Sequence, residues 1–398
     1  MHRSLPFVSA LLLGVLIGCQ DQSLSPAPRQ AGPSFATASA QACPANPSVI
    51  VTDEAGLRAA LAAAHPGDVI AVSGTIELTT GDTIATDGVT LTCATPGSGL
   101  VATDLSVLDV VTVTARGVTV DGLVLDGSRA GDSPFFALND GVSFFAQDVR
   151  FTHNSVTCTV FGSCVFIVGG TGAVVSDNSF QATDAFTGIH LQANGPDPNV
   201  VFPIRIDGAR IERNSLVALT PSQGSRFGAI RPFDADSLVI ADNVITGPWR
   251  NGISPARLTH SQIQHNQISG PVVDGIRTSS FAGALRGVTQ NVLTSNQVSG
   301  AGRAGIFADR ACSNRFASND LRGNAGDLGL FLTDTTGANV VAGAQNAVVI
   351  DNGAFDCDGD GRIDPNIITG GVTHHQAAPP DPGGAAPARA GHRDPQPL

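Results

Sequence analysis

Residues 242–266, DNVITGPWRNGISPARLTHSQIQHN, hold the pattern that decides the fold. Ile253 follows Asn243 at a spacing of 10, and Asn266 follows Ile253 at a spacing of 13. The short apolar runs between them alternate with a period of two, which is typical of strands and too short for helices. The stretch therefore predicts one coil of 23 residues, built of short strands, that runs from one Asn to the next.

The same pattern recurs on both sides of this stretch. Successive Asn residues are 24, 36, 29, 23, 30, 23 and 33 positions apart, and each repeat also holds a small residue followed by Ile or Leu. A period of this size predicts a solenoid whose coils stack about 4.8 Å apart around one apolar core, with longer repeats carrying loops. The Asn positions are 154, 178, 214, 243, 266, 296, 319 and 352, and the apolar marks are Ile189, Ile230, Ile253, Ile276, Ile306 and Leu330.

Two roles are open for the repeated Asn. The side-chain amides could hydrogen-bond from coil to coil in a buried turn. Alternatively, each Asn could adopt the left-handed conformation within its own turn. Both roles are compatible with stacked coils.

The start of the repeats predicts a cap. Asp53 is a candidate N-cap for an amphipathic stretch with Leu57 and Leu61 on one side, and Pro66-Gly67-Asp68 would end it. Together with the Asn-centred coils, residues 52–70 resemble the start of the pectin-lyase-like superfamily, and the resemblance covers about residues 47–370. It implies an all-β fold, a right-handed parallel β-helix with a short N-terminal capping helix. The superfamily includes polysaccharide lyases, glycoside hydrolases and uronate epimerases, so the resemblance implies the fold more strongly than the function.

The N-terminal residues are typical of an export signal. Two basic residues precede an apolar run from Leu5 to Ile17 that is too short to span a bilayer. Residues 16–19, Leu-Ile-Gly-Cys, resemble a bacterial lipobox, which implies cleavage before Cys19 and acylation of its thiol. The alternative is an ordinary signal peptide cleaved elsewhere. We expect a protein of the cell envelope that is held at the outer membrane or cell surface by its lipid alone, or is secreted.

Composition divides the rest of the chain. Residues 20–42 are rich in Ser, Pro, Ala and Gln and are predicted to be a flexible linker, and residues 374–398 are predicted to be a disordered tail. Residues 43–373 would form one domain. We expect a monomer.

Charge and cysteine content narrow the class. Lys is absent and the net charge is −12, which argues against nucleic acid as a partner. Six cysteines besides Cys19 remain in a chain that is expected to be exported, where disulfides form. Pairing between neighbours along the chain predicts Cys43–Cys93, Cys158–Cys164 and Cys312–Cys357.

The residue after each apolar mark is predicted to point outward, because the mark points into the core. This gives an outward column that contains His190, Arg231 and Arg277. Long insertions flank it, since the spacing from Ile189 to Asn214 is 25 and that from Ile276 to Asn296 is 20, against 13 in the base coil. Insertions on a regular solenoid often carry binding or catalysis. The full column is His190, Arg231, Ser254, Arg277, Phe307 and Phe331, and the nearby carboxylates are Asp234, Asp236, Asp274 and Asp309.

Two functions fit this column. In the first, Arg231, Arg277 and His190 form a catalytic or binding groove for an acidic polysaccharide, with Asp234, Asp274 and Asp309 as substrate-binding residues and a lyase, hydrolase or epimerase reaction. In the second, the column is an exposed ladder that keeps a non-catalytic structural or adhesive lipoprotein hydrated. The catalytic motifs of the superfamily are absent, Tyr is missing and Trp249 is the only Trp, which all favour the second function.

A metal site is predicted near the C-terminal end of the repeats. Asp356, Asp358, Asp360 and Asp364 stand at positions 1, 3, 5 and 9 of a loop with Gly361 at position 6. This spacing resembles an EF-hand-type Ca²⁺ loop that lacks its last acidic ligand. The alternative is a solvated acidic turn.

Overall fold

The structure is a computed structural model, and it describes residues 43–44, 46–131, 133–138, 147–159, 162–184, 187–193, 206–221, 227–279, 287–343, 345, 347–369 and 372–373. The chain divides into two units, 1–36 and 37–398, and all described residues belong to the second. The predicted signal peptide with Cys19, the linker and the tail lie outside the described residues.

The described residues form a parallel β-helix of three sheets. Each coil contributes strands to the three sheets, and strands pair in parallel with the equivalent strand of the next coil. Ile230, Ile253 and Ile276 align directly over one another and are fully buried, which confirms the coil length predicted from their spacing. The fold class predicted from the repeats, a right-handed parallel β-helix, is therefore confirmed.

Within the described residues, the first sheet has 13 strands and the second has 9. The first consists of Val49–Val51, Val69–Val72, Thr90–Cys93, Thr119–Asp121, Arg150–Thr152, Val174–Ser176, Arg210–Glu212, Val239–Ala241, Gln262–Gln264, Val292–Thr294, Arg315–Ala317, Val340–Ala342 and Ile367–Thr369. The second consists of Thr75–Leu78, Gly99–Ala102, Val124–Gly127, Ser155–Thr159, Ser179–Thr183, Ser215–Ala218, Val244–Thr246, Gln267–Ser269 and Gln297–Ser299.

The third sheet, which has 16 strands in the part of the chain that the structure describes, carries the predicted column. Its main path is Asp82–Ile84, Asp109–Val113, Ser133–Leu138, Ser163–Val168, Thr187–Gln192, Gly228–Asp236, Asn251–Ile253, Asp274–Arg277, Ala304–Ala308, Leu328–Leu332, Val348–Asp351 and Val372–Thr373. Ile206–Asp207, Ala256–Thr259, Val288–Thr289 and Ala311–Cys312 pair beside this path. A 3₁₀ turn spans Ala325–Asp327.

One helix, Glu54–Ala63, packs against the first coil. Asp53 caps it, because its side chain accepts a hydrogen bond from the Gly56 N–H at 2.7 Å. Leu57 and Leu61 face the core and are buried, so the predicted amphipathic cap is confirmed.

Buried amides connect the coils in a ladder from Asn154 to Asn319. The Nδ2 of Asn243, for example, donates to Asn266 Oδ1 at 2.9 Å and to the Ile211 carbonyl at 2.9 Å. The left-handed residue of these turns is the one before the Asn, such as Asp242 with φ 57°, so the alternative role for the Asn is wrong. We call Asn154, Asn178, Asn214, Asn243, Asn266, Asn296 and Asn319 the first Asn ladder.

The sequence analysis placed Asn352 in this ladder, and that placement is wrong. Asn319 instead donates to Gln345 Oε1 at 3.0 Å, because Gln345 stands where the next turn brings an amide within reach. A second Asn ladder was missed. It runs from Asn291 through Asn314 and Asn339 to Asn366, each amide donating to the next Oδ1 at 2.9–3.0 Å.

All three predicted disulfide bonds are present. Cys43–Cys93 joins the segment before the first strand to the first coils, and Cys312–Cys357 ties the last coils together. Cys158–Cys164 closes a short loop between strands of the second and third sheets.

Candidate functional site

The strand register places the predicted column on the third sheet. His190 pairs with Arg231, and the aligned marks Ile230, Ile253 and Ile276 put Arg231, Ser254 and Arg277 in consecutive coils. Phe307 and Phe331 continue the column. The alignment of these side chains is therefore as the sequence predicted.

A second outward column lies beside the first. Ala304 packs with Phe307 in an apolar cluster that is separate from the interior core, so Ala304 lies on the outer side of the sheet. Ala304 is aligned with Asp274. Asp274 and its aligned partner Asn251 therefore lie on the same side of the sheet as the first column. We call the outward side chains of His190, Arg231, Asn251, Ser254, Asp274 and Arg277 the central face.

The central face is buried. His190 is 2% exposed, Arg231 and Ser254 are 6% exposed, and Asn251 and Asp274 are fully buried, while Arg277 is half-buried. An exposed, hydrated ladder would leave these side chains in water. The structure therefore contradicts that interpretation of the column, and the central face is a set of polar side chains removed from solvent.

Aromatic rings hold the first two members of the column. The ring of Phe166 stacks on His190 with centroids 4.7 Å apart. Phe227 lies against the face of the Arg231 guanidinium, with Cζ 3.0 Å from the ring centroid. Such packing fixes a guanidinium plane while its N–H groups remain at the edge, where they bind acceptors.

His190 is neutral at physiological pH. Burial lowers the pKa of the imidazole well below its usual value, and the positive charge of Arg231 lowers it further. Its Nε2 atom is buried and has no hydrogen-bond partner among the described residues. A neutral imidazole nitrogen of this kind can accept a proton or hydrogen-bond a ligand.

Two of the predicted carboxylates are paired with arginines. Asp274 binds Arg303 through two hydrogen bonds, one of them from Nε to Oδ1 at 2.9 Å, and Asp234 accepts from Arg257 Nη2 at 2.6 Å. These four side chains are almost fully buried. Asp234 and Asp274 therefore balance arginine charges, a role that the sequence analysis did not predict for them.

Asp309 and Asp236 have different surroundings. The carboxylate of Asp309 accepts from the Thr335 hydroxyl at 2.7 Å. Asp236 accepts from the Thr259 hydroxyl at 2.6 Å and lies 2.8 Å from Nδ1 of the exposed His260. Neither contact involves the central face.

Sequence reasoning missed four residues of this region. Arg257 and Arg303 neutralise carboxylates, Phe227 packs on Arg231, and Asn251 adds a buried amide. The spacing from Asp234 to Arg257 equals the base coil, so the pair could have been found from the repeat. The insertions expected around the column, within 194–205, 222–226 and 280–286, lie outside the described residues.

The acidic loop brings three of its four predicted ligands together. One carboxylate oxygen each from Asp356, Asp358 and Asp364 lies within 4.8 Å of the others, and Asp360 is not in this group. The Gly359 and Gly361 N–H groups donate to Asp356 at 2.7 and 2.8 Å. These backbone hydrogen bonds, that from Gly361 foremost, hold the pKa of Asp356 below its ordinary value. Two oxygens bound to one Ca²⁺ are at most about 5 Å apart, so the three carboxylates fit one such ion.

Comparison with known proteins supports the architecture. A family model described as "Right handed beta helix region" matches residues 204–367. The parallel sheets of this part of the chain agree with that description. The matched range includes Arg231, Asn251, Ser254, Asp274 and Arg277, whereas His190 lies before it.

Solved β-helix structures are similar at low identity. A mannuronic acid specific polysaccharide family 6 lyase from human gut microbiota is 15% identical, with 82% of this chain and 84% of that chain covered and a TM-score of 0.47. DFA-IIIase from Arthrobacter chlorophenolicus A6 is 13% identical, with 76% and 88% covered and a TM-score of 0.46. The Dettilon tailspike protein is 16% identical, with 76% of this chain covered and a TM-score of 0.45, and this chain spans 62% of its length.

No curated protein sequence matches this chain. Within the described part of the chain, no helix has the length and apolar character needed to cross a membrane.

Proposed function

We propose that this protein binds an acidic polysaccharide at the central face. The observation that carries the proposal is the burial of Arg231 and the partial burial of Arg277, two coils further on, on one side of one sheet in a chain whose net charge is −12. Guanidinium groups recognise carboxylate and sulfate groups through paired N–H donors.

The charge balance of the region supports an anionic ligand. Arg231, Arg257, Arg277 and Arg303 face this side of the sheet together with Asp234 and Asp274, and the imidazole of His190 is neutral. Asp234 accepts from Arg257, and Asp274 accepts from Arg303. The named arginines outnumber the named carboxylates, so the electrostatic potential on this side of the sheet would attract a ligand carboxylate.

The same geometry supports a reaction, proton abstraction next to a carboxylate. His190 Nε2 would take the proton, and Arg231, one coil away, would stabilise the negative charge that develops on the acid group. Elimination would then form a C4–C5 double bond and break the bond from C4 to the glycosidic oxygen, which would take a proton from water or from the protonated His190. Return of a proton to C5 from the opposite face would instead give epimerisation. A hydrolase would need a pair of free carboxylates, and the two buried here are bound to arginines.

The test is a panel of acidic and neutral polysaccharides. We expect binding to polygalacturonate or another acidic polymer and weak binding to neutral dextran. Replacement of Arg231 and Arg277 together by Ala should weaken that binding about 100-fold. Arg315→Ala, which removes an exposed arginine of the first sheet, is the matched control and should change it less than twofold.

Catalysis is measured in the same panel. An ultraviolet absorbance increase from unsaturated uronate would identify a lyase, and new reducing ends without absorbance would identify a hydrolase. His190→Gln should abolish a lyase or epimerase activity and retain binding. If every polymer is bound and none is changed, the protein is a non-catalytic binding protein. If the double arginine variant binds as the wild type does, the proposed site is wrong.

We also propose that the protein is exported and lipid-anchored through Cys19 at the cell envelope, as a monomer. The support is the apolar run followed by residues 16–19, Leu-Ile-Gly-Cys. Labelling cells with a radioactive or alkyne fatty acid should mark the wild type and not Cys19→Ala. Label on the variant, or none on the wild type, would contradict the proposal.

We further propose that the acidic loop binds Ca²⁺ through Asp356, Asp358 and Asp364. The support is the convergence of the three carboxylates beside Cys357, whose disulfide bond fixes the loop to Cys312. Calorimetry should show heat on addition of Ca²⁺ to the wild type and none with Asp356→Asn. Asp320→Asn, at a partly exposed position, is a control outside the loop, and an equal heat in all three proteins would contradict the site.

A further inference from the structure

One side of the solenoid carries no charge. Six consecutive strands of the second sheet, from Ser155–Thr159 to Gln297–Ser299, contain no acidic, basic or His residue. The second residue of each strand is buried in the interior core, so the first and third residues point outward. We call the first and third side chains of these six strands the neutral face.

The strand register makes the neutral face regular. Each first residue aligns with the first residue of the next strand, and each third residue aligns with the third. Since adjacent strands are about 4.8 Å apart, the face is about 24 Å long. Carboxylates stand at both of its ends, because Asp126 aligns with Thr157 and Asp320 aligns with Gln297. The neutral face is therefore a bounded surface in a chain of net charge −12.

The same coils carry charge on their other two sheets. Arg210 and Glu212 point outward from the first sheet, where they form an ion pair, and Arg231 lies on the outer side of the third sheet. The absence of charge from these six strands is thus confined to one side of the solenoid. A surface that only keeps the protein hydrated has no reason to exclude charge from one sheet alone.

Side-chain amides stand toward both ends of the neutral face. Gln181, Gln267 and Gln297 are exposed, and their side chains form no hydrogen bond with other described residues. An amide both donates and accepts hydrogen bonds, as do the Ser and Thr hydroxyls around it. Sugar hydroxyl groups also donate and accept, so they match this surface, whereas an acidic polymer would meet no cation on it.

The middle of the neutral face is apolar. Val217 and Val244 stand on adjacent strands and are partly exposed. Leu219, two residues after Val217 at the edge of the face, is 58% exposed. The C–H groups on the faces of sugar rings pack on such side chains while the ring hydroxyls reach polar groups on either side. An apolar centre with a few polar groups around it is typical of ligand sites.

Other partners fit the neutral face less well. Protein interfaces are enriched in aromatic residues, Met and Arg, and none of these points outward from the six strands. A membrane surface attracts a large apolar face or a basic one, and nucleic acid attracts a basic one. A neutral glycan is the ligand whose chemistry these side chains match.

We propose that the neutral face binds an extended neutral glycan. The proposal goes beyond the binding of an acidic polysaccharide at the central face and does not depend on it, because the neutral face lies on a different sheet and uses no arginine. The face is rigid, and an extended β-1,4-linked glycan loses less conformational freedom on binding than a flexible polymer such as dextran. Such a glycan is therefore the expected ligand.

The test measures binding of the full chain to cellohexaose, xylohexaose and β-1,4-mannohexaose by calorimetry. We expect at least one of these neutral oligosaccharides to bind the wild type. Val217→Arg places a large cation at the centre of the face, and it should weaken that binding more than about tenfold. Val239→Arg makes the same change at an outward, partly exposed position of the first sheet and should alter binding less than about twofold.

A second pair of variants tests the amides. Gln267→Ala combined with Gln297→Ala removes two hydrogen-bonding groups and should weaken binding about tenfold. Gln262→Ala combined with Gln264→Ala removes two outward amides of the first sheet and should change binding less than about twofold. The melting temperature reports whether each variant is folded, and the amide variants keep the test valid if Val217→Arg fails to fold.

The remaining outcomes separate this face from the central face. Val217→Arg should keep the affinity of the wild type for polygalacturonate, and the double arginine variant should keep that for the neutral oligosaccharide. If none of the three oligosaccharides binds, or if Val217→Arg binds as the wild type does, the proposal is wrong. Sedimentation that shows self-association of the wild type and none of Val217→Arg would make the face an interface between copies and would also overturn the proposal.

Discussion

The first Asn ladder and the central face both bury polar side chains, but they differ in how these are satisfied. Every amide of the ladder from Asn154 to Asn319 accepts and donates hydrogen bonds within the described part of the chain. On the central face, His190 Nε2 and Asn251 Nδ2 have no such partner. Buried polar groups are normally paired, so groups that lack partners point to a role other than stability. We infer that the ladder stabilises the fold and that the central face binds a ligand.

The largest expected effect is on a buried ion pair at the edge of the central face. Arg303→Met leaves the fully buried carboxylate of Asp274 without its bidentate partner, which should cost about 3–5 kcal/mol of unfolding free energy in urea. Asp274→Leu combined with Arg303→Met should recover most of this loss. If the double variant is no more stable than the single one, Arg303 stabilises the fold through packing on Phe307 and not through the ion pair.

The next largest loss of unfolding free energy is expected when an amide of the first Asn ladder is removed. Asn243→Ala removes the partners of the Asn214 N–H, the Asn214 side chain and the Ile211 carbonyl, all of them buried. At roughly 1–3 kcal/mol for each unsatisfied group, unfolding free energy should fall by about 3 kcal/mol or more. Gln267→Ala, at an exposed amide, should change it by less than about 0.5 kcal/mol. Equal losses in the two variants would contradict a structural role of the ladder.

His190 should show its burial in the pH dependence of stability. The pKa of His190 in the folded protein lies well below the ordinary value of 6.5. The folding stability that depends on a neutral imidazole is therefore fully present above pH 6.5, and it is lost as the pH falls toward the folded pKa. Between pH 7 and pH 5 the urea midpoint of the wild type should therefore fall more than that of His190→Gln. If the urea midpoints of the wild type and of His190→Gln fall by the same amount over this range, His190 is exposed to solvent.

Asp82, on the first strand of the same sheet, should show a smaller effect of opposite sign. Burial raises its pKa from 3.8 to about 6, although the charge and hydrogen bond of Arg58 oppose this. Its contribution to stability is present below pH 3.8 and is lost as the pH rises through about 6. Asp82→Asn should therefore gain stability relative to the wild type between pH 4 and pH 7. A relative loss over that range would show that the Arg58 interaction dominates.

The sequence predicts the coil and its register because both depend on spacing. Ile230, Ile253 and Ile276 are 23 residues apart and align at that spacing, which places Arg231 and Arg277 in one column. His190 joins the column because Ile189 aligns with Ile230 once the insertion between them is treated as a loop. The error at Asn352 also comes from spacing. Asn352 directly follows Val348–Asp351, a strand of the third sheet, so it does not lie at the turn of the first Asn ladder. Gln345 follows a strand of the first sheet, as Asn319 does, and therefore stands at that turn.

Burial of the column could not be predicted. An alternating pattern gives the side of a sheet on which a residue lies, but not what packs over that side. Asn251 looks like an ordinary turn residue in the sequence, and only the unpartnered amide in a buried position sets it apart. The pairing of Asp234 and Asp274 with arginines likewise depends on which coils are adjacent, and the sequence alone did not predict it.

The most direct test of the difference between the first Asn ladder and the central face compares the unfolding free energies of Asn243→Leu and Asn251→Leu, measured in urea at pH 7. If Asn251 is kept for a ligand, its variant should lie within about 1 kcal/mol of the wild type, because only one long hydrogen bond from Asp274 is lost. Asn243→Leu should lose about 3 kcal/mol or more, because three buried groups lose partners. A loss of the same size in both variants would contradict the account.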